Sequence, residues 1–306
     1  MGLDFDSRVA AIGERTPRGA IVAALRASLG DLRVALCLHR VGPPLDGSFL
    51  PAATIEAEKL DALVELLLAS RQGGGRWLTL TFDDGYLDAA EYVASRSPKY
   101  PEVEFLVFAC PEKAEKRAGF RWDLVDLDVR KGRNLEESWR QHMDRPLDIV
   151  AENDRSELRE VAALSEYRLA TPAELAALRS LANVSLGNHT NCHFKASDLA
   201  PDALAREVER SESDFARLFG GPGDFAFPYG WPFLDADRVA VVASHSRGAI
   251  WSTTRRPYPA GEREGRGALP RFVVDGRLGA RGTAASIAAR AVAYRVRGPR
   301  HGVEEP

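Results

Sequence analysis

Seven short runs of almost unbroken apolar residues constrain this chain most. They are Arg33–Val41 (RVALCLHRV), Trp77–Phe82 (WLTLTF), Val103–Cys110 (VEFLVFAC), Val184–Thr190 (VSLGNHT), Asp224–Gly230 (DFAFPYG), Gly248–Thr253 (GAIWST) and Leu269–Val274 (LPRFVV). A strand with one face in water alternates apolar and polar residues, whereas a strand apolar at nearly every position is covered on both faces, as in a parallel sheet. Helical patterns lie between the runs. TIEAEKLDALVELLLAS opens at a Thr54 cap, with Ile55, Leu60, Leu63 and Leu67 on one broad face. In TPAELAALRSLA, Thr171 is the cap, Pro172 takes the first helical position and Glu174 follows three residues after the cap. APDALAREVERSESDFARLFG and FLDADRVAVVASH are further amphipathic helices. Strands alternating with helices predict an α/β fold with a parallel sheet, and seven of them suit a barrel, with an open sheet as the alternative. One segment breaks the rhythm. Residues 111–170, after the third strand, form a charged insertion with scattered aromatics, long enough to be a lid or a substrate wall.

The expected organisation is one domain over residues 1–306, with a core at about 33–275, the insertion at 111–170 and a C-terminal helix at about 281–297. Forty-one basic against 44 acidic side chains leave a net charge of -3, which argues against nucleic acid as a partner. Cys37, Cys110 and Cys192 are too few for a disulfide framework and suggest a reducing compartment. The start of the chain mixes charges without an uninterrupted apolar core, and no run approaches the ~20 apolar residues of a transmembrane segment. A cytoplasmic location is therefore expected. The tail GTAASIAARAVAYRVRGPR reads as a helix packed on its own domain, with peripheral membrane contact as the alternative; its small, Ala-dominated apolar face favours packing. Nothing in the sequence specifies the oligomeric state.

In parallel α/β folds, sites gather at the carboxyl ends of the strands. Four such ends are chemically loaded here: His39 and Arg40 on the first, Asp83 and Asp84 before Gly85 on the second, GNHTNCH on the fourth and FPYGW on the fifth. Two adjacent carboxylates repel, and burying either is costly without a partner. His189 and His193 are four apart, so a helical turn after Leu186 would set both imidazoles on one face, as a metal requires. Taken alone, DDG is an ordinary turn and the histidine pair an ordinary coincidence. Together at strand ends they suggest a two-histidine, one-carboxylate metal set, with the cation relieving the repulsion and the other aspartate free to act as a general base. Pro228 and Tyr229 follow a strand, and Gly230 lets the chain approach a ligand closely, so the Tyr229 backbone N–H is a candidate oxyanion donor. Arg271 reads equally as a structural ion pair or as a charge beside the site. Cys192, between the histidines, is directed elsewhere and reads as a bystander.

These pieces resemble the polysaccharide deacetylase family with the NodB homology domain, carbohydrate esterase family four. LTFDDGY matches its first motif and HTNCH its second. FAFPYG looks like the third in a subgroup whose opening is similar to LCLHRVG. FRWD (Phe120–Asp123) and LPRFVV resemble the middle and late landmarks of that subgroup, and the likeness runs from about Val34 to Val274. The resemblance implies a distorted (β/α)7 barrel of NodB type, with the insertion after its third strand, and metal-dependent removal of acetyl groups from sugars. Carried over by residue, Asp83 is the general base, Asp84, His189 and His193 hold one divalent metal, and the Tyr229 backbone stabilises the oxyanion. Zinc is the first choice of metal, with cobalt, nickel, iron or manganese as alternatives. Trp122, Asp123, Pro228 and Trp231 would contact the substrate. Three departures stand out: the usual arginine of the third motif, the Asp-x-x-Asp-Trp motif and the late Leu-x-x-His motif are absent. His39 is the candidate substitute for the general acid, and Arg271 for the lost arginine. The expected substrate is an N-acylated amino sugar, acetylated or formylated, carried on a nucleotide, a lipid or a secondary metabolite. The alternatives are a catalytically impaired carbohydrate-binding member of the fold, or a non-haem iron oxygenase, which the α/β pattern opposes.

Overall fold

A computed structural model describes residues 2–71, 76–144, 151–230, 235–259, 262 and 268–298, with side chains from residue 6 onward. Its central sheet is parallel at every pairing. The strands are β1 (Val34–Leu38), β4 (Leu78–Phe82), β5 (Val103–Ala109), β6 (Val184–Asn188), β7 (Asp224–Ala226), β8 (Ile250–Trp251), β9 (Ala268–Leu269) and β10 (Phe272–Val273). The pair β2 (Arg40–Val41) and β3 (Thr54–Ile55) forms a small separate sheet. In the main sheet the order is β10-β1-β4-β5-β6-β7-β8-β9. β1 and β4 are buried at every residue. β1 is apolar throughout, as cover on both faces requires, and in β4 the buried Thr79 and Thr81 hydroxyls donate to Glu104 and to the Leu36 carbonyl.

The seventh expected strand, Leu269–Val274, is where the sheet meets itself. Its first part pairs Leu269 with Trp251 of β8; three residues later Phe272 pairs with Leu36 of β1. One segment thus serves both edges, broken at Pro270, which has no N–H to give a ladder. Counted as one split strand, it completes the distorted (β/α)7 barrel. The break also turns the Arg271 side chain into the interior, where it is fully buried.

Helices cover the sheet. Ala57–Ser70 precedes β4, Leu87–Arg96 follows it, and Pro172–Leu178, Pro201–Phe219 and Ala236–His245 precede β6, β7 and β8. The Thr171 cap forms as expected: its hydroxyl accepts from Glu174 N–H, and the Glu174 carboxylate accepts from Thr171 N–H at 2.7 Å. The Thr54 cap does not. Thr54 and Ile55 pair with Arg40 and Val41, and the helix begins after Glu56, because the extended backbone of β3 excludes a cap two residues earlier. The C-terminal helix, Ala280–Arg297, packs on its own chain through Ala284, Ile287, Ala288 and Ala291. Arg290 binds Asp6 at 2.8 Å, and Gly282 N–H donates to Glu14 at 2.7 Å. Its partners are Ala57–Ser70 and two N-terminal helices, Gly2–Arg15 and Arg18–Leu29, and the sequence pattern did not bring out the N-terminal pair. Among the described residues, no helix is long and apolar enough to cross a membrane.

The described part of the insertion is helical: Pro111–Lys116, Arg121–Arg130, Leu135–His142 and Ser156–Ala162, with short 3₁₀ turns between. Its second helix starts at the carboxyl end of the barrel, so Phe120 and Trp122 reach the same rim as the strand-end residues.

Candidate metal centre and active site

The site is built where β1, β4, β6 and β7 end. After Phe82 the chain leaves the sheet through Asp84 and Gly85, both in the left-handed region (φ +74° and +79°). In a continuing strand Asp83 and Asp84 would face opposite ways. The turn at Asp84 brings both carboxylates into the interior, each 3% exposed. Aspartate tolerates this backbone better than most residues with a Cβ.

The two histidines converge differently from the expectation. No helical turn follows Leu186. β6 runs to Asn188, whose side chain accepts from Thr190 N–H, and the Thr190 hydroxyl accepts from His193 N–H. Thr190 and His193 both take positive φ (+65° and +59°). Two side chain-to-backbone turns, favoured by Asn and Thr, therefore replace the helix and fold His193 back toward His189. The ring centroids end 4.9 Å apart.

Asp84, His189 and His193 each present one ligand atom to a common point, all within 4.8 Å of one another. His193 Nε2 lies 3.2 Å and His189 Nε2 3.7 Å from Asp84 Oδ1. A tetrahedral cation with bonds of about 2.0–2.1 Å separates its donors by about 3.4 Å, so these distances bracket the need. His189 Nδ1 sits 2.9 Å from the Ala226 carbonyl, which can only accept. The proton is thus on Nδ1 and the Nε2 lone pair faces the carboxylates, the arrangement a metal-binding histidine uses. Burial, more than any neighbour, pushes His189 down to about 4, so near neutral pH it is an uncharged donor. Asp84 Oδ1 is buried without a hydrogen-bond partner. An orphaned carboxylate oxygen facing two imidazole nitrogens fits a divalent cation of the zinc, cobalt, nickel or iron type.

Asp83 has other company. Arg271 donates to its two oxygens at 2.6 and 2.9 Å, and the Cys37 thiol points to Oδ2 at 3.4 Å. Arg271 itself is fixed by Thr81 Oγ1 at 2.9 Å, the Ser252 carbonyl at 3.2 Å and the Phe108 ring beneath it. Burial alone would raise the Asp83 carboxyl, but Arg271 and then His189 outweigh it and hold it well below the usual carboxylate range. Burial likewise opposes Asp84, and His193 lowers it. His39, half-buried at the end of β1, has a ring nitrogen within 4.8 Å of both the Asp83 carboxylate and Cys37 Sγ.

The rest of the wall is aromatic. Trp122 meets His193 edge to face at 4.6 Å, stacks on Phe120 at 4.3 Å, and lies 6.4 Å from Tyr229. Tyr229 packs on His193 at 4.8 Å, is 36% exposed and has φ +61°. Gly230 follows with φ +53°, and a Cβ there would strike Thr253 Oγ1 at 2.2 Å, so only glycine fits. Pro228 is buried behind this turn. Asp123 lies beneath the wall. Its Oδ2 accepts from Phe120 N–H at 2.8 Å and its Oδ1 from the Tyr86 hydroxyl at 2.7 Å. That hydroxyl in turn accepts from Trp122 Nε1 at 2.9 Å. Trp231 lies outside the described residues. Cys192 is buried in an apolar cluster with Phe194, Phe225 and Phe227. The residues that sequence reasoning missed are Cys37 and Tyr86. Cys37 could have been found as the strand neighbour two before His39 on the same face.

No family model and no curated protein matches the chain. Solved structures do. A polysaccharide deacetylase from Bacillus cereus superposes with a TM-score of 0.56 at 12% identity, covering 83% of this chain and 68% of that one. IcaB from Ammonifex degensii gives 0.52 at 17% identity, covering 86% and 98%. The Streptococcus pyogenes deacetylase PplD, solved with acetate, gives 0.53 at 12%, covering 82% and 96%. The chain has the polysaccharide deacetylase fold.

Proposed function

We propose that this chain is a metal-dependent deacylase of the NodB type that removes an acetyl or formyl group from an amino sugar. The sugar is carried on a nucleotide, a lipid or a secondary metabolite. One observation carries the reading: an unpartnered, buried Asp84 oxygen faces His189 and His193, beside a second carboxylate that an arginine keeps charged. A non-haem oxygenase shares the three donors but has no use for Asp83 and Arg271. The deacetylases that share the fold support hydrolysis as the chemistry.

Asp84, His189 and His193 would hold the cation, zinc foremost. Bound there, a divalent cation supplies Lewis acidity to the acyl oxygen and makes a neighbouring water easier to deprotonate. Asp83 is the base. A carboxylate held so far below its usual range is ionised at every working pH but accepts a proton weakly, so it suits a water that is already acidified. Arg271 orients that carboxylate and keeps it charged. Tyr229, in a turn with two successive positive φ values beside His193, is the residue whose backbone N–H would serve the oxyanion. His39, beside Asp83, is the proton donor to the departing amine, since an imidazole both takes and gives protons. Trp122 and Tyr229 close the pocket around His193, with Asp123 acting through Tyr86 to fix Trp122.

The test is release of acetate and formate from a panel of N-acylated sugars and sugar nucleotides by zinc-loaded protein. Wild type should release one acid, and Asp83→Asn should lose at least about 100-fold in rate. Release of neither acid from any compound would favour a carbohydrate-binding protein that has kept the fold.

A further inference from the structure

We propose that Cys37, His39 and Asp83 form a second metal site, for soft divalent cations, abutting the first. The alternation of β1 sets Cys37 and His39, two residues apart, on one face. The register of β1 on β4 pairs Leu38 with Phe82, and Asp83 N–H donates to the Leu38 carbonyl at 2.8 Å. The carboxylate of Asp83 is thereby delivered beside both. The sulfur, a ring nitrogen and a carboxylate oxygen lie within 4.8 Å of one another, and Cys37 Sγ is already 3.4 Å from Asp83 Oδ2. Tetrahedral coordination asks for about 3.4 Å between donors, so a pair at the 4.8 Å limit would have to close by about 1.4 Å. The half-buried His39 ring is the side chain with room to do so.

A sulfur–nitrogen–oxygen set selects zinc, cobalt or cadmium and disfavours magnesium and calcium, which prefer all-oxygen ligands. The two sets of three meet at His189, whose Nε2 lies 3.8 Å from Asp83 Oδ2 and 3.7 Å from Asp84 Oδ1. Arg271 opposes the second ion, because it already donates to both Asp83 oxygens. The second ion must share that carboxylate with a guanidinium and sit near the first cation. It therefore binds after the first and at least about tenfold more weakly. Binding replaces the Cys37 S–H bond by a sulfur–metal bond and releases the proton to solvent. If Asp83 is the base proposed above, an ion held there takes the base out of use, and excess zinc inhibits.

Metal-free full-length protein is titrated with cobalt(II), with bound metal counted by elemental analysis after equilibrium dialysis. Two ions are expected per chain. The second should bring a near-ultraviolet band of thiolate-to-cobalt charge transfer. Cys37→Ser should bind one ion and lose the band, and His39→Gln should weaken the second ion at least about tenfold. His193→Gln should lose the first ion and keep the band. Circular dichroism establishes that each variant is folded, and His39→Gln supplies the test should Cys37→Ser fail to fold. Saturation at one ion without the band would overturn the second site and leave the first standing. A band that persists in Cys37→Ser would assign it to Cys110 or Cys192 and also overturn the proposal. Binding of no cobalt at all would overturn both sites.

Discussion

Replacing Arg271 by methionine tests the electrostatic core of the site. The guanidinium is fully buried and makes four hydrogen bonds, two to Asp83, one to Thr81 and one to the Ser252 carbonyl. Methionine fills much of the space but leaves Asp83 as a buried charge without its main partner. Removing one member of such a pair costs on the order of 3–5 kcal/mol, a large share of a typical folding free energy of ~5–15 kcal/mol. Most of that cost is the stranded carboxylate. Adding Asp83→Asn, which removes the charge, should therefore restore part of the loss. In a four-member cycle of urea denaturation at pH 7, the coupling between the two sites should be on the order of 1–3 kcal/mol. The pH dependence follows. In the wild type the folded-state Asp83 carboxyl is held below its unfolded value by Arg271 and His189. Its contribution to stability is present above about pH 4 and is lost as the pH falls toward the folded value. Without Arg271, burial dominates and the carboxyl rises. The acid limb of kcat/KM should then move to higher pH, because the base is protonated sooner. An Arg271→Met protein within about 0.5 kcal/mol of wild type, with an unmoved acid limb, would refute the reasoning.

Four smaller tests bear on the neighbours. Tyr86→Phe removes the hydroxyl that joins Asp123 to Trp122, taking a partner from the buried Asp123 carboxylate and from the half-buried Trp122 indole; unfolding free energy should drop by about 1–3 kcal/mol, with altered tryptophan fluorescence. His39→Gln should lower turnover at least about 100-fold if His39 is the acid, and unchanged turnover removes it from that role. Chelation should lower the melting temperature and zinc restore it, since an ion at 100 times its Kd adds about 2.7 kcal/mol. In metal-free protein His189, pushed down to about 4 by burial, favours the folded state at neutral pH, and that stability is lost as the pH falls from about 6.5 toward 4. Asp123, pushed up to about 7 by burial, runs the other way: its contribution is full below about pH 4 and lost as the pH rises through 7. Denaturation midpoints of wild type and His189→Gln between pH 4 and 7 separate the two, and equal slopes would contradict the His189 assignment.

Most of the strand framework was legible because burial on both faces leaves a nearly unbroken apolar run, as in β1 and in β5 from Phe105 onward. The candidate metal donors stood out in the sequence because imidazoles and paired carboxylates at strand ends have few other uses. What pattern reading lacked was distance across the chain. Asp83 and Arg271 are 188 residues apart and meet only because the last strand breaks at Pro270 and closes the sheet. Tyr86 holds Trp122 from 36 residues away, through a helix of the insertion whose docking no local period records. The N-terminal helices were missed for a related reason: the Ala-rich face they cover, on Ala280–Arg297, is weakly amphipathic, so neither partner announces the other.

The helical turn expected between His189 and His193 failed for a reason that bears on function. Five described residues other than glycine have positive φ, and four of them, Asp84, Thr190, His193 and Tyr229, belong to this one site. Each such conformation costs on the order of 1–3 kcal/mol and persists only where its surroundings over-determine it. At Asp84 the determinant is the buried end of β4, and at His193 it is the hydrogen-bonded chain from Asn188 through Thr190. A helical HTNCH would relax that strain but align both rings along one helix face, away from the turn of Asp84. The left-handed backbone is what lets a donor from β4 and two from the end of β6 face one point. Thr190→Val keeps the size and removes the hydroxyl that His193 N–H uses. It should loosen His193 and weaken zinc binding at least about tenfold, measured by competition with a chromogenic chelator. Affinity equal to wild type would mean that the rings are held by the aromatic wall alone.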